Sequence, residues 1–430
     1  MSGIARNSVP IVSVIMPVYN AERFVREAVE SILNQTFTDF EFIIINDGST
    51  DSTRAILESF ADTRIVLLHQ ENQGLVRSLN RGLRMARGRY IARQDADDVS
   101  LPERLERQVA FLDAHPEVGL LASASQAIDE HGQALYVRNT PCDGETLQRE
   151  FVRGHNPLIH GSVLMRREIL DTVGFYDERF LTAEDNDYWL RIAEHWQVAA
   201  LADVLFRYRI IDTSKTAREG IAFRMSYGAL ALWEALRRRM GEPRLAGRYT
   251  SRDLALGFLA LACREAFVSD LSVFQSAILQ AVQLDGTLTG WDFAYEMTGW
   301  ASYVAEAGVG WADATASVRR AYQHLPAQVS HWRRQQNWAF GELTQRAAFA
   351  AFRRRDLAEV RRWGRQCWRW QPRLFLRSRG LRSIWIESLI GPSAADWLRR
   401  IVHAECLWSA VRRVGSGLSN VAGKSQDSAT

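Results

Sequence analysis

The chain opens with apolar runs alternating with amphipathic ones. Residues 11–19 (IVSVIMPVY) are a continuous apolar run ending at Asn20, which predicts a parallel strand buried on both faces. Residues 21–34 follow with helical spacing: Phe24, Ala28 and Ile32 share a face with Val25 and Val29. The alternation continues with a strand over 40–45 ending in Asn46-Asp47-Gly48-Ser49, a helix over 51–60, a strand over 64–68 and a helix over 75–87. A short strand over 89–92 then runs into Gln94-Asp95-Ala96-Asp97-Asp98. Strands alternating with helices predict an α/β fold with a mostly parallel, doubly wound sheet and right-handed crossovers. Such sheets bind ligands at the carboxyl ends of their strands. The polar clusters Tyr19-Asn20, Asp47–Ser49 and Asp95–Asp98 all fall there.

From 118 to 211 the pattern is mixed, with short strands over 118–122, 162–165, 198–200 and 204–210 and a helix near 184–195. From about 220 only helices are expected, over 220–239, 252–267, 271–284, 343–354, 356–371 and 394–412. The pairs Asp270-Leu271 and Asp356-Leu357 stand at equal spacing before the breakers Gly286 and Pro372. That spacing suggests helical hairpins of the tetratricopeptide type; an irregular helical bundle is the other reading. Residues 414–430 read as a polar, disordered tail. The expected organisation is an α/β domain over 1–219, a helical domain over 220–413 and the tail.

Composition sharpens this division. A chain of 430 residues exceeds one ordinary domain, and 47% hydrophobic with 24% charged residues excludes a disordered chain. The net charge of +3 hides an asymmetry: residues 1–219 hold 24 Lys+Arg against 33 Asp+Glu, and residues 331–430 hold 19 against 7. Segments 361–370 and 397–413 mix Trp, Leu, Val and Arg at helical spacing. Two readings stand for 331–413: a bundle with Trp inside and Arg solvated, or a surface for anionic membrane lipid. Nucleic acid is not an expected partner. Cys142, Cys263, Cys367 and Cys406 match no zinc or disulfide spacing, so a reduced, cytoplasmic protein is expected. No run reaches 18 apolar residues, so no spanning helix is expected. Pro10 and Pro17 interrupt the first apolar run, which reads as a strand and not a signal segment.

The carboxylates carry the candidate chemistry. Asp95, Asp97 and Asp98 repel one another, and folding them together at a sheet edge is costly unless a cation sits among them. Oxygen ligands of this kind suit Mg²⁺ or Mn²⁺ completed by substrate phosphates. A helix start over 101–112, with Ser100 as cap and Pro102 and Glu103 in its first turn, explains the residues that follow but not the three aspartates. Asp47 can accept the imide N–H of a uracil or thymine ring, which is compatible with an Asx turn through Gly48. In Thr182–Arg191, Thr182 can cap a helix and the acids favour its dipole. A carboxylate fixed at a helix start and aimed at solvent is equally what a general base requires.

Val12–Asn20, Asp39–Asp51, Asn72–Leu75, Asn80–Gly82, Asp95–Asp98, and Gly174–Asp177 followed by Glu184-Asp185, in this order, resemble the family-2 glycosyltransferases of GT-A fold. The resemblance covers about residues 10–215, with 10–115 as the nucleotide-sugar side and 116–219 as the acceptor side. It implies inverting, Mg²⁺- or Mn²⁺-dependent transfer of a sugar from a nucleotide-diphospho-sugar, a UDP-sugar being favoured. The acceptor would be a hydroxyl of a glycan or lipid-linked molecule in surface polysaccharide biosynthesis; the lipid-surface reading of 331–413 would place the protein at the inner face of the cell membrane. Carried over, Pro17, Tyr19, Asn20 and Asn80 bind the nucleotide-sugar, Asp47 contacts the base, Asp95 faces the ribose or sugar and Asp97 holds the metal. Asp185, with Glu184 beside it, is the implied catalytic base. The chain departs from the family pattern at Asn46 (often an acid), at Ser78-Leu79-Asn80 (often Ala-Arg-Asn) and after Arg209, where a His is common. Arg209 and Lys215 are therefore candidates for a lid, with Asp212 and Ser214. His160 reads first as a structural histidine and second as an acceptor-side residue. Trp189 suits packing and sugar stacking equally. A nucleotidyltransferase would need a Gly-rich phosphate loop after the first strand, which Pro-Val-Tyr-Asn is not. Retention of all three carboxylate sites argues against a non-catalytic sugar-binding or scaffold protein.

Overall fold

A computed structural model describes residues 9–138, 140, 144–211, 220–245, 247–268 and 271–390. The expected helix over 394–412, the tail over 414–430, and Asp212, Ser214, Lys215, Asp270, Cys142 and Cys406 lie outside the described residues.

The first alternation folds as β1 (Val12–Val18), α1 (Val25–Leu33), β2 (Phe40–Asp47), α2 (Thr53–Glu58), β3 (Ile65–Gln70), α3 (Leu75–Met85) and β4 (Tyr90–Arg93). These strands lie parallel in the order β3-β2-β1-β4. Every residue of β1 and β2 is buried, which is why both read as unbroken apolar runs. Alternate side chains serve opposite faces. Val12, Val14, Met16 and Val18 pack with Val25, Val29 and Ile32 of α1, while Ile15, Ile43 and Ile45 pack with Val76, Leu79 and Leu83 of α3.

Beyond β4 the sheet is mixed, not mostly parallel as expected. The chain continues through β5 (Val99–Ser100), α4 (Arg104–Ala114), β6 (Val118–Ile128), β7 (Ala134–Arg138), α5 (Gly144–Val152), β8 (Leu164–Arg166), α6 (Ile169–Thr172), α7 (Glu184–Ala193) and β9 (Gln197–Arg209). β8 is antiparallel to both β4 and β6, β6 is parallel to β9, and β5 and β7 pair antiparallel with β9 and β6. The reversal has a local cause. The chain reaches β8 from the carboxyl edge of β4, through a helical turn at His160–Ser162, so it must run back along β4. The strands expected over 198–200 and 204–210 are one bulged strand, β9.

Helices follow: α8 (Ile221–Gly241), α9 (Ser251–Val268), α10 (Leu271–Leu284), α11 (Gly290–Val304), α12 (Trp311–Gln323), α13 (Gln336–Arg353), α14 (Leu357–Trp370), α15 (Pro372–Arg377) and α16 (Arg379–Ile390). The sequence pattern did not predict α11 and α12. In α11, polar Glu296, Thr298 and Ser302 are buried beside Phe293, Met297 and Trp300, so no single apolar stripe marks it. Each suggested hairpin is a helix pair, α9–α10 and α13–α14. In the second, Arg355 takes φ +60 and Asp356 accepts the Glu359 N–H at 3.0 Å to restart the chain as a helix.

Contacts divide the chain into Met1–Thr289 and Gly290–Thr430. Glu194, 1% exposed at the end of α7, explains why α8 belongs to the first unit: its carboxylate is met by Arg238 at 2.8 Å and Arg239 at 3.3 Å. Without those arginines it would be an uncompensated buried charge. In the second unit Trp300, Trp311, Trp332 and Trp363 are buried, while Trp291 and Trp368 are 44% and 49% exposed. Cys263 and Cys367 are free and buried. Among the described residues no helix is long and apolar enough to cross a membrane.

At the amino edge of the sheet, Glu41 locks β1 and β2 to the turn before β4. Its carboxylate accepts from Ser13 Oγ at 2.7 Å, from the Arg87 N–H at 2.9 Å and from the Arg87 guanidinium at 2.6 Å. Burial raises its pKa, but these bonds outweigh it and the net direction is down from 4.5. Glu41→Ala is expected to lower stability by about 1–3 kcal/mol in urea unfolding at pH 7, because Ser13 and the Arg87 N–H lose their partner. The wild-type advantage is present above pH 4.5 and should fade as the pH falls below it.

Candidate active site

The carboxyl ends of β1, β2 and β4 meet at one edge. There Gln94, fully buried, pins both ends of the Asp95–Asp98 loop: its amide donates to the Asp95 carbonyl at 3.0 Å and the Asp98 carbonyl at 2.9 Å. Its Oε1 accepts from Ser100 Oγ at 2.7 Å and Arg104 at 3.2 Å. Three buried arginines stand behind the loop. Arg93 donates to Asp95 Oδ1 at 2.6 Å. Arg104, fully buried, donates to Ser100 Oγ at 2.8 Å, the Arg93 carbonyl at 2.9 Å and the Val163 carbonyl at 3.0 Å, and lies over the Phe206 ring. Arg209 donates its backbone N–H to Asp98 Oδ1 at 2.7 Å and its guanidinium to the Asp97 carbonyl at 2.8 Å and Glu27 at 2.6 Å. Arg209 was a lid candidate in the sequence. At 3% exposed, with its guanidinium committed to this wall, it is a structural brace.

The electrostatics are those of a loop short of positive charge. Burial, and then the charge of Asp95, push the Asp97 carboxyl up to about 6, although Arg93 and Arg209 pull the other way. Burial followed by Asp97 and Asp95 raise Asp98 well above the carboxylate range, and its Oδ2 has no hydrogen-bond partner among the described residues. Burial and then Arg93 push the Arg104 guanidinium down to about 9. Uncompensated carboxylates at a strand end fit a divalent cation. Among the described residues no group of three His, Cys, Asp or Glu side chains could hold a metal alone. A divalent ion at this loop would therefore need further ligands from a substrate, as Mg²⁺ takes from phosphates.

The remaining donor-side candidates divide. Tyr19 is 51% exposed and open to a ligand. Asn20, at φ +47, accepts the Thr50 N–H at 2.8 Å and donates its own N–H to Ser49 Oγ at 3.0 Å, lacing the loops after β1 and β2 together. Pro17 is buried within β1 and forms wall, not pocket surface. Asp47, 3% exposed, accepts from Gln70 Nε2 at 2.6 Å and the Gln73 N–H at 2.8 Å through Oδ1, and from the Gly74 N–H at 2.9 Å through Oδ2. It therefore shapes the 70–74 loop, a duty its motif did not reveal. Gly48 is required there: a Cβ would lie 2.6 Å from the Asn72 nitrogen. Asn80 is corrected from donor contact to clamp. Its amide donates to the Tyr176 carbonyl at 2.9 Å and accepts the Tyr176 N–H at 3.0 Å, and it is 2% exposed.

On the other side, Ala183 at φ +56 turns the chain into α7, so the cap expected from Thr182 falls to a residue whose methyl cannot accept a bond. Asp185 accepts from Asn156 Nδ2 at 2.8 Å and the Asn186 N–H at 2.8 Å. Glu184, beside it, is 6% exposed. Burial first, then neighbours including Asp185 and Glu184, raise the Tyr176 hydroxyl, while Arg93 lowers it, so the helix start and the carboxylate loop act on one floor. His160 bonds Tyr176 Oη through Nε2 at 2.9 Å, consistent with its structural reading. Gly161 brings this turn against Asp95, since a Cβ there would lie 3.0 Å from Asp95 Oδ2 and 2.4 Å from Phe206. Trp189 is fully buried among Tyr176 and Tyr188, which settles packing over sugar stacking. Lys215 is outside the described residues. Asn156, Gln94, Arg93 and Arg104 were missed; the arginines left a signal as charges flanking an apolar strand and at a helix start next to the acidic loop.

Residues 13–174 match the family model Glycosyl transferase family 2. The chain is 36% identical over 239 residues to EpsE of Bacillus subtilis (strain 168), a protein described as a glycosyltransferase; the match covers 54% of this chain and 84% of EpsE. It is 32% identical over 214 residues to the amylovoran biosynthesis glycosyltransferase AmsE of Erwinia amylovora, covering 48% of this chain and 79% of AmsE. Among solved structures, TarS of S. aureus is similar with a TM-score of 0.50 at 17% identity, over 69% of this chain and 53% of TarS. That last likeness is one of fold.

The raised Asp97 pKa has a measurable cost. The folded protein holds this proton more tightly than the unfolded chain, whose reference value is 3.8. The penalty is therefore absent below that value, grows through the interval and is complete above about 6. Asp97→Asn is expected to raise Tm at pH 7.5 in EDTA, by about 2–4 °C for each kcal/mol relieved, with the gain vanishing toward pH 4. Scanning fluorimetry reads this directly, and an unchanged Tm at pH 7.5 contradicts it.

Proposed function

The chain belongs to glycosyl transferase family 2, and from that premise we propose that it moves a sugar, with inversion, from a nucleotide-diphospho-sugar to a hydroxyl of a glycan or lipid-linked acceptor. It is a glycosyltransferase whose GT-A domain is followed by helices. This membership sets aside the nucleotidyltransferase and scaffold readings. The observation that carries the finer reading is the meeting of the Asp95–Asp98 loop with the start of α7 around His160–Gly161.

On this reading Tyr19 and the 70–74 loop flank the nucleotide, a UDP-sugar being favoured. Asp97, assisted by Asp95, would hold Mg²⁺ or Mn²⁺, and that ion when bound supplies charge neutralisation at the diphosphate. Asp185 takes the proton of the acceptor hydroxyl, with Asn156 holding its carboxylate in place. The acceptor oxygen bonds the anomeric carbon as the bond to the diphosphate oxygen breaks on the opposite face, so one displacement inverts the centre without a covalent intermediate. The relationship to AmsE supports a role in polysaccharide biosynthesis.

The second unit supports a place at an anionic membrane surface. Arg362, Arg365, Arg369, Arg373 and Arg377 are exposed around Trp368 and Leu376, each 49% exposed. Arginine pairs with lipid phosphate and Trp anchors at the interface. The 397–413 part of that expectation lies outside the described residues.

Transfer assayed across UDP-, GDP- and dTDP-sugars with Mn²⁺ tests the reading. Asp185→Asn is expected to lower kcat by about 10²–10⁴-fold while leaving donor affinity nearly intact. Full turnover by Asp185→Asn contradicts the base assignment.

A further inference from the structure

Arg93 is 5% exposed, and only part of its guanidinium is accounted for by Asp95. Its Nε is buried without a hydrogen-bond partner among the described residues. So is the indole Nε1 of Trp189, one helical turn beyond Asp185 and itself fully buried. Both side chains line the same internal cavity, together with Ile15, Leu79, Met165 and Tyr176. The cavity offers about 10 Å³ of room for a water's centre, the threshold for one molecule. Two unpaired buried N–H groups, on two residues that line one mainly apolar space, call for an acceptor, because a buried donor left unpaired costs as much as a lost hydrogen bond. A water has two lone pairs for them and two protons to pass on. The Tyr176 hydroxyl, on the same wall, already meets His160 Nε2 at 2.9 Å.

We propose that one ordered water in this cavity accepts from Arg93 Nε and Trp189 Nε1 and donates to the Tyr176 hydroxyl, making Arg93 and Trp189 positioning residues that tie the carboxylate loop to the base helix. The tyrosine then donates onward to His160. With both edges of its guanidinium held, Arg93 presents Asp95 at a fixed position, as outer partners do for groups that contact ligands. A shift of α7 moves the indole, the water and, through Arg93, the donor-side carboxylate. The inference rests on reading Asp95 as donor-facing and Asp185 as the base.

The test uses the full chain with ¹⁵N-labelled tryptophan. Trp189→Phe keeps an aromatic ring and removes the N–H, which assigns the indole signal; Arg93→Lys keeps the charge and removes Nε. In the wild type the Trp189 indole proton should show a cross-relaxation peak to a long-lived water, and Arg93→Lys should abolish it. Trp189→Phe should raise donor KM about five- to tenfold, the scale of one lost neutral hydrogen bond, with kcat changed less than about twofold. A purely structural loss would move kcat and Tm without that split. An indole with no water contact overturns the proposal, as does a Trp189→Phe donor KM equal to wild type. The water signal is read without turnover, so failure of the transferase reading would show separately, as absence of transfer with every donor.

Discussion

Holding three aspartates in one tight loop is the constraint around which the first unit is organised. Asp95, Asp97 and Asp98 repel one another, and water would separate them if the chain allowed it. The fold prevents this with three buried arginines, one at the end of β4, one at the start of α4 and one at the end of β9. Only Arg93 faces an aspartate carboxylate directly through its guanidinium. Arg209 uses its backbone N–H and a carbonyl contact, and Arg104 holds neutral acceptors. The loop is thus braced without being neutralised, which leaves Asp97 with a raised pKa.

The same constraint accounts for the departure from a simple parallel sheet. For β9 to deliver Arg209 to the loop it must run beside β6, and β8 fills the space between β6 and β4 in reverse. That reversal sets the His160–Ser162 turn against Asp95. Asn156, just upstream, then reaches Asp185 at the head of α7. A strained Ala183, at φ +56, is tolerated at this junction, where such conformations often attend function.

Much of this was legible from the chain. The apolar runs of β1 and β2 announce strands covered on both faces, and the three polar clusters do fall at strand ends. What sequence could not show was the direction in which a polar side chain is spent. Asn80 and Arg209 lie in or near candidate motifs, yet Asn80 Nδ2 and Arg209 Nε each donate to a backbone carbonyl, brought from 96 and 112 residues away. Asp47, read from its motif as a base contact, carries the 70–74 loop. Trp189 at helical spacing from Asp185 was equally suited to stacking, and only its burial decides. The partners of Glu194, Arg238 and Arg239, lie 44 and 45 positions on, beyond any local pattern.

The central claim is that this braced, under-neutralised loop exists to receive a metal-bound nucleotide diphosphate. Titration calorimetry of UDP into the full chain at pH 7.5, with Mn²⁺ and then with EDTA, tests it most directly. The account predicts binding at least about tenfold tighter with Mn²⁺, a difference of about 1.4 kcal/mol. Equal affinity in EDTA would contradict it.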